Sequence, residues 1–248
     1  MIAACSPIKT LNALVPEDGY LMRGDIAYGA EARQRLDVYR PRDAGDSPMP
    51  VVVFFYGGGW EDGQRADYKF VAEALTSKGM VVVIPDYRVY PDAVFPTFIE
   101  DAAKAVRWAK DHAADFGGDP SRLFLAGHSA GAHIAAMLAL DAHYLKAEQL
   151  TPADLTGIIG LSGPYDFLPL KSARLKQIFG PEAEWPKSQP INFVHGDNPP
   201  MLLLTGEDDG TVWPRNTYRL AKKIEASHGE VEVGSYPGWG HADMVAKL

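Results

Sequence analysis

Val51-Val-Val-Phe-Phe-Tyr56 is an unbroken run of β-branched and aromatic side chains that ends directly in Gly57-Gly58-Gly59. A strand with one solvated face alternates apolar and polar residues; a run without alternation has to be covered on both faces. Val81-Val-Val-Ile-Pro-Asp86 and the PMLLLT segment at 200–205 have the same character. Further strands are expected at 33–39, 122–127, 156–162 and 231–236. Helical patterns fall between them at 65–78, about 98–116, 130–140 and 214–228, with a terminal helix after His241. Apolar strands alternating with helices predict an α/β fold, a central mainly parallel sheet with helices on both faces. Residues 1–24 read as an N-terminal arm and 25–248 as one domain. Its proline-containing, poorly periodic stretch at 167–199 reads as a short insertion over the carboxyl ends of the strands, where open α/β sheets bind ligands.

Composition narrows the partners. A 248-residue chain with 46% apolar residues can bury a large core without covalent staples. Cys5 is the only cysteine, which excludes an internal disulfide and a cysteine-based zinc site. The formal charge of -8 argues against a nucleic-acid partner, which demands a basic stripe. No apolar stretch approaches the roughly 20 residues that span a bilayer as a helix.

Gly127-His-Ser-Ala-Gly131 lies between an expected strand and an expected helix, the setting that G-x-S-x-G requires. The turn is so tight that side chains two positions to either side of Ser129 would collide, which explains the glycines. Its hydroxyl would then stand beside a helix N-terminus, where developing negative charge is favoured. A serine needs a base, and the chain has 7 histidines. His128 and His133 belong to the elbow and its helix, His112 and His143 to helix surfaces, and His228 to a helix end. His195, in the insertion, is the rival to His241, which sits in the glycine-rich loop Pro237-Gly-Trp-Gly-His-Ala-Asp243 after the last strand. The carboxylate that orients it is expected in Gly206-Glu-Asp-Asp-Gly-Thr-Val212, with Asp208 and Asp209 tied on chemistry alone. The order Ser, Asp, His is that of one particular fold. Gly57-Gly58-Gly59 can turn successive amides into a cavity with no side chain in the way, the construction of an oxyanion hole. Neither a P-loop nor a dinucleotide fingerprint accompanies these glycines.

With these residues placed, the sequence resembles the α/β-hydrolase superfamily, and more narrowly carboxylesterases related to the hormone-sensitive-lipase group and to BD-FAE-like bacterial esterases. The similarity runs from about Asp25 to the C-terminus. It is carried by Asp25-Ile-Ala-Tyr-Gly29, Arg35-Leu-Asp-Val-Tyr39, Gly57-Gly-Gly-Trp60, Asp86-Tyr-Arg88, Gly127–Gly131, Gly206–Val212 and Gly240-His241. The resemblance implies a catalytic triad of Ser129, Asp209 and His241, because relatives place the acid three residues after the glycine and three before the valine. It implies oxyanion donors at the amides of Gly58, Gly59 and Ala130, no metal or cofactor, and a small-molecule acyl ester as substrate. The family usually has histidine before the glycine run, where this chain has Tyr56. The same resemblance extends to arylformamidases and prenylcysteine methylesterases, so amide and methyl-ester cleavage stand as alternatives. A catalytically inert binding protein is a third. The modest insertion favours short acyl groups, and its Tyr165, Phe167, Phe179 and Trp185 either line a pocket or fix the loop to the core.

The start of the chain admits two readings. Ile2-Ala-Ala-Cys5 resembles the end of a bacterial lipobox, which implies a lipid anchor at Cys5 in a longer precursor and a membrane-held location. The alternative is an incidental thiol on a cytoplasmic enzyme.

Overall fold

The computed structural model describes residues 11–45 and 47–248. The segment around Cys5 lies outside the described residues, and with it the lipid-anchor expectation.

Among the described residues eight strands form one sheet: β1 (Tyr20–Ala27), β2 (Arg35–Pro41), β3 (Met49–Phe55), β4 (Val81–Pro85), β5 (Gly118–His128), β6 (Gly157–Leu161), β7 (Met201–Gly206) and β8 (Val231–Tyr236). Their spatial order is β1-β2-β4-β3-β5-β6-β7-β8. The β1/β2 and β2/β4 pairs are antiparallel and every later pair is parallel. The helices are α1 (Lys69–Thr76), α2 (Thr97–His112), α3 (Ala130–Leu140), α4 (Ala142–Ala147), α5 (Ala173–Phe179), α6 (Arg215–Ala226) and α7 (Asp243–Ala246). The step from β3 to β4 runs one way across the sheet, and the step from β4 to β5 runs the other. With right-handed crossovers these place α1 on one face and α2 and α3 on the opposite one. This is the α/β-hydrolase architecture.

The apolar runs behave as their lack of alternation requires. Val51, Val52, Val53, Phe54 and Phe55 are all within 2% of complete burial. Each such side chain contributes about 1.5–3 kcal/mol relative to exposure. Every residue of α3 is buried, which accounts for its alanine-rich, all-round apolar sequence. The helix starting at the elbow is thus wedged between the sheet and the other elements, and Ser129 is fixed by the core itself.

Three differences from the sequence reading have identifiable causes. The arm enters the sheet at Tyr20, so the expected boundary between residues 24 and 25 falls inside β1. This edge strand buries few side chains and shifts register between Arg23 and Ile26, which erased its alternation. Strand β5 begins at Gly118 rather than Arg122, because Met49 pairs with Gly118 before the register slips to Val51 opposite Leu123. The 167–199 segment contains α5, of which only Ile178 and Phe179 are buried, too few apolar positions to show a helical period. Among the described residues no helix is long and apolar enough to cross a membrane.

Candidate active site

Strand β5 runs into α3 through Ser129, whose φ of 55° and ψ of -121° lie outside the regions that L-residues favour. The surrounding glycines hold that conformation. A Cβ on Gly127 would stand 2.4 Å from the Gly131 backbone, and one on Gly131 would stand 1.9 Å from the Phe55 carbonyl oxygen. The Ser129 amide donates to the Leu161 carbonyl at 2.9 Å, tying the elbow to β6. Ser129 is the residue preceding the first turn of α3, so its hydroxyl sits at the positive end of that helix.

His241 Nε2 lies 2.9 Å from Ser129 Oγ, and His241 Nδ1 lies 2.8 Å from Asp209 Oδ2. A carboxylate can only accept, so Nδ1 carries the proton and Nε2 is free to accept from the serine hydroxyl. Asp209 Oδ1 is separately held by the amides of Thr211 at 2.9 Å and Val212 at 2.8 Å. The Asp209 side chain is fully buried while the imidazole is 18% exposed. Burial by itself pushes the Asp209 carboxyl up. The hydrogen bond from His241, the Val212 amide and the charge of His241 together outweigh it, and the carboxyl lies below its ordinary range. Ser162 Oγ has no well-formed hydrogen bond of its own and adds a weaker contact to the same carboxylate. Asp208, by contrast, is exposed, and its amide donates to the Trp239 carbonyl at 3.1 Å.

Above the serine passes the glycine run. A Cβ on Gly57 would lie 3.1 Å from the Ser129 Cβ and from His128 Nδ1, tighter than ordinary van der Waals contact. Gly58 adopts φ 133° and Gly59 φ 60°, both left-handed conformations. The loop is closed by Glu61 and Asp62 amides donating to the Gly58 carbonyl. Beyond Gly59 the position is open, with no heavy atom within 4 Å of where a Cβ would be. Gly57 thus packs against the elbow and the Gly59 position faces open space, while Ala130 begins α3 directly after Ser129.

Two histidines set aside in the sequence reading hold this arrangement together. His128 Nε2 donates to the His241 carbonyl at 3.0 Å, so the elbow grips the backbone of the residue whose side chain meets Ser129. Burial foremost, and the neighbouring His241, push the His128 pKa down to about 3, keeping it neutral. His133 is fully buried, accepts at Nδ1 from Trp60 Nε1 at 3.3 Å and donates from Nε2 to the Ser188 carbonyl at 2.7 Å. Burial holds its pKa down at about 4. It thereby joins the glycine loop, α3 and the insertion, a role that spacing along one helix does not reveal. The rival His195 is exposed and faces a cleft of about 530 Å³ with Asp141 and His143, away from Ser129. Of the insertion aromatics Phe179 and Trp185 are buried, as is Tyr165 just before the insertion. Phe179 and Phe167 pack against Trp60 at ring-centroid distances of 4.8 and 5.8 Å, so these rings fix the insertion to the glycine loop.

Known proteins share this scaffold. A match to the BD-FAE family covers residues 36–224. A probable isoprenylcysteine alpha-carbonyl methylesterase of Oryza sativa subsp. japonica is 35% identical over 241 residues, 88% of this chain and 56% of that protein. The chain spans 51% to 60% of the length of the first curated relatives it matches. A truncated carbohydrate esterase from gut microbiota superposes with a TM-score of 0.81 over 94% of this chain and 93% of its own, at 22% identity, a likeness of fold. Esterase 2 of Thermogutta terrifontis, solved with butyrate bound, gives a TM-score of 0.74 at 26% identity, covering 92% of this chain and 87% of that one. With the family match running from the second strand into the helix before the last, this chain is an α/β-hydrolase belonging to the BD-FAE family.

Proposed function

We propose that this chain is a serine carboxylesterase that cleaves short-chain acyl esters through Ser129, His241 and Asp209. The observation that carries the reading is the continuous hydrogen-bonded chain of 2.9 and 2.8 Å from hydroxyl to imidazole to buried carboxylate. Ser129 Oγ attacks the ester carbonyl carbon as His241 Nε2 takes its proton. Asp209 stabilises the imidazolium, and the amides of Gly58, Gly59 and Ala130 receive the oxyanion. His241 then returns the proton to the leaving alcohol, and water resolves the acyl-enzyme by the same steps in reverse. Each step is carried by side chains and amides of this chain, without metal or cofactor.

Short acyl groups are favoured because Trp60, Phe98 and Phe179 fill the space behind the glycine loop with buried rings. The butyrate held by the Thermogutta esterase is an acid of this size. The methylesterase relatives support a second reading, in which the small group is the alcohol rather than the acyl chain. Turnover of p-nitrophenyl esters from acetyl to long acyl chains, alongside a methyl-ester series and N-formylkynurenine, separates these readings. Activity retained in Ser129→Ala, or fastest turnover of long aggregated triacylglycerols, contradicts the first.

A further inference from the structure

Tyr56 stands at the end of β3 and is completely buried beneath the loop that it enters. Its hydroxyl donates to Asp86 Oδ1 at 2.9 Å and accepts from Arg33 Nη2 at 2.9 Å. The same guanidinium nitrogen donates to the Gly63 carbonyl at 2.7 Å. One nitrogen therefore bridges the residue that enters the 57–62 loop and the residue that leaves it. Arg33 is held in turn by Nε donating to the Tyr87 carbonyl at 2.9 Å, and Tyr87 Oη donates to the Tyr56 carbonyl at 2.7 Å.

The ring below this clamp is a floor for the loop. Tyr56 stacks on Tyr87 at 4.7 Å and on Tyr68 at 5.5 Å. Gly63, at φ 102°, comes so close that a Cβ on it would stand 2.8 Å from the Tyr56 ring and from the Gly57 carbonyl. Asp86 extends the network: its Oδ1 also accepts from the Arg65 amide at 2.7 Å, and its Oδ2 pairs with the Arg65 guanidinium. Arg65 reaches Asp37 at 2.8 Å, a residue of β2. At the other end of the loop, Trp60 is anchored on His133. Base and tip are both fixed, with Gly57, Gly58 and Gly59 between them and Gly57 lying against Ser129.

We propose that Tyr56 is a positioning residue for ester hydrolysis: its phenol and Arg33 clamp the base of the 57–62 loop and so set where the Gly58 and Gly59 amides stand. The inference rests on the hydrolase reading above and names what holds its oxyanion site. A phenol suits the place because one oxygen both donates to Asp86 and accepts from Arg33. An imidazole would carry its polar atoms nearer the backbone and would not bridge the two. Removing the hydroxyl leaves Asp86 with Arg65, and Arg33 with Gly63 and Tyr87, so the fold keeps its partners while the clamp loses its centre. An oxyanion hole acts through the precise placement of its donors, and losing one outright costs about 10²–10³ in kcat.

The test compares wild type, Tyr56→Phe and Tyr56→His. It uses p-nitrophenyl acetate turnover and inhibition by a small trifluoromethyl ketone. In the inhibited enzyme the Ser129 Oγ–C bond forms, the carbonyl π pair becomes an oxyanion and the hydroxyl proton passes to His241, so its affinity reads the hole directly. Tyr56→Phe is expected to lower kcat about tenfold, a part of that full loss. It should weaken the ketone by the same factor, with KM within about twofold and Ser129 still labelled to completion by a fluorophosphonate. Tyr56→His should show the same split. Should Tyr56→Phe not fold, Arg33→Gln cuts the clamp from its partly exposed side and must behave alike. Wild-type kcat and ketone affinity in the folded variants overturn the inference. A wild-type protein that neither turns over ester nor labels at Ser129 overturns instead the hydrolase reading beneath it.

Discussion

Gly131 lies against the carbonyl of Phe55, so close that a methyl group on it would stand 1.9 Å from that oxygen. Phe55 ends β3 just before the glycine loop, and Gly131 is the second residue of α3, two beyond Ser129. The contact therefore sets the distance between the two halves of the candidate site. Backbone cannot move aside as a flexible side chain can. Gly131→Ala should destabilise the fold by about 1–3 kcal/mol, the range for forced overpacking. For a chain of this length that is a fall in Tm of roughly 3–10 °C, read by calorimetry. An unchanged Tm would mean that the two segments separate freely.

Ser129 is held at φ 55°, ψ -121°. Such a conformation costs a residue with a Cβ about 1–3 kcal/mol, and glycine escapes most of it. Ser129→Ala keeps the strain and Ser129→Gly relieves it, offset by about 0.5–1 kcal/mol of extra chain entropy. Both variants should be inactive, while the glycine variant should melt above the alanine variant. A glycine variant that melts below the alanine variant, as the entropy cost alone dictates, would show that the elbow stores no strain.

The two neighbouring acids should respond in opposite ways. Asp209→Asn preserves an acceptor for the Thr211 and Val212 amides but removes the charge facing His241 and invites the wrong tautomer. A fall in kcat of about 10³–10⁴ is expected, as when the triad carboxylate of a serine protease becomes an amide. Asp208→Asn, at an exposed position, should leave kcat within about twofold of wild type. The reverse pattern would assign the acid to Asp208.

Stability should fall on acidification before the carboxylates titrate. His133 is held neutral down to about pH 4 in the fold, from 6.5 when unfolded. Between those values the unfolded chain carries a proton that the native state does not, so stability rises with pH. It is fully present above about 6.5 and is lost toward 4, at about 1.4 kcal/mol per pH unit. His128, neutral down to about 3, adds a second proton over the same window. His133→Gln retains a donor and an acceptor for Ser188 and Trp60, and should flatten the decline of Tm between pH 6.5 and 4. A slope equal to that of wild type would mean that His133 is protonated inside the fold.

Local chemistry explains what was legible beforehand. The runs at 51–56 and 81–86 needed no partner information to be identified as doubly covered strands. G-x-S-x-G marks itself because the collision it avoids lies within a few residues and leaves glycines in the sequence. Strand β1 was not legible, since an edge strand with a shifted register buries too little to impose a pattern. His128 and His133 were assigned to the elbow and its helix, but what they bond to lies 113 and 55 residues away in the chain.

The mainly parallel sheet, the strand-to-helix turn at Ser129, the glycine loop and a short set of acids and histidines in chain order were readable from residue order alone. These depend on periodicity and on backbone sterics, both of which act over a few residues. Choosing Asp209 over Asp208 needed either a family resemblance or the fold, because two adjacent acids have the same chemistry and opposite directions along the backbone. That His241 meets Ser129 while His195 faces another cleft, and that Tyr56 bonds both Asp86 and Arg33, emerged from the fold alone. Those outcomes depend on hydrogen bonds with direction between segments far apart in the chain, and residue order carries no record of such directions until the sheet brings the segments together.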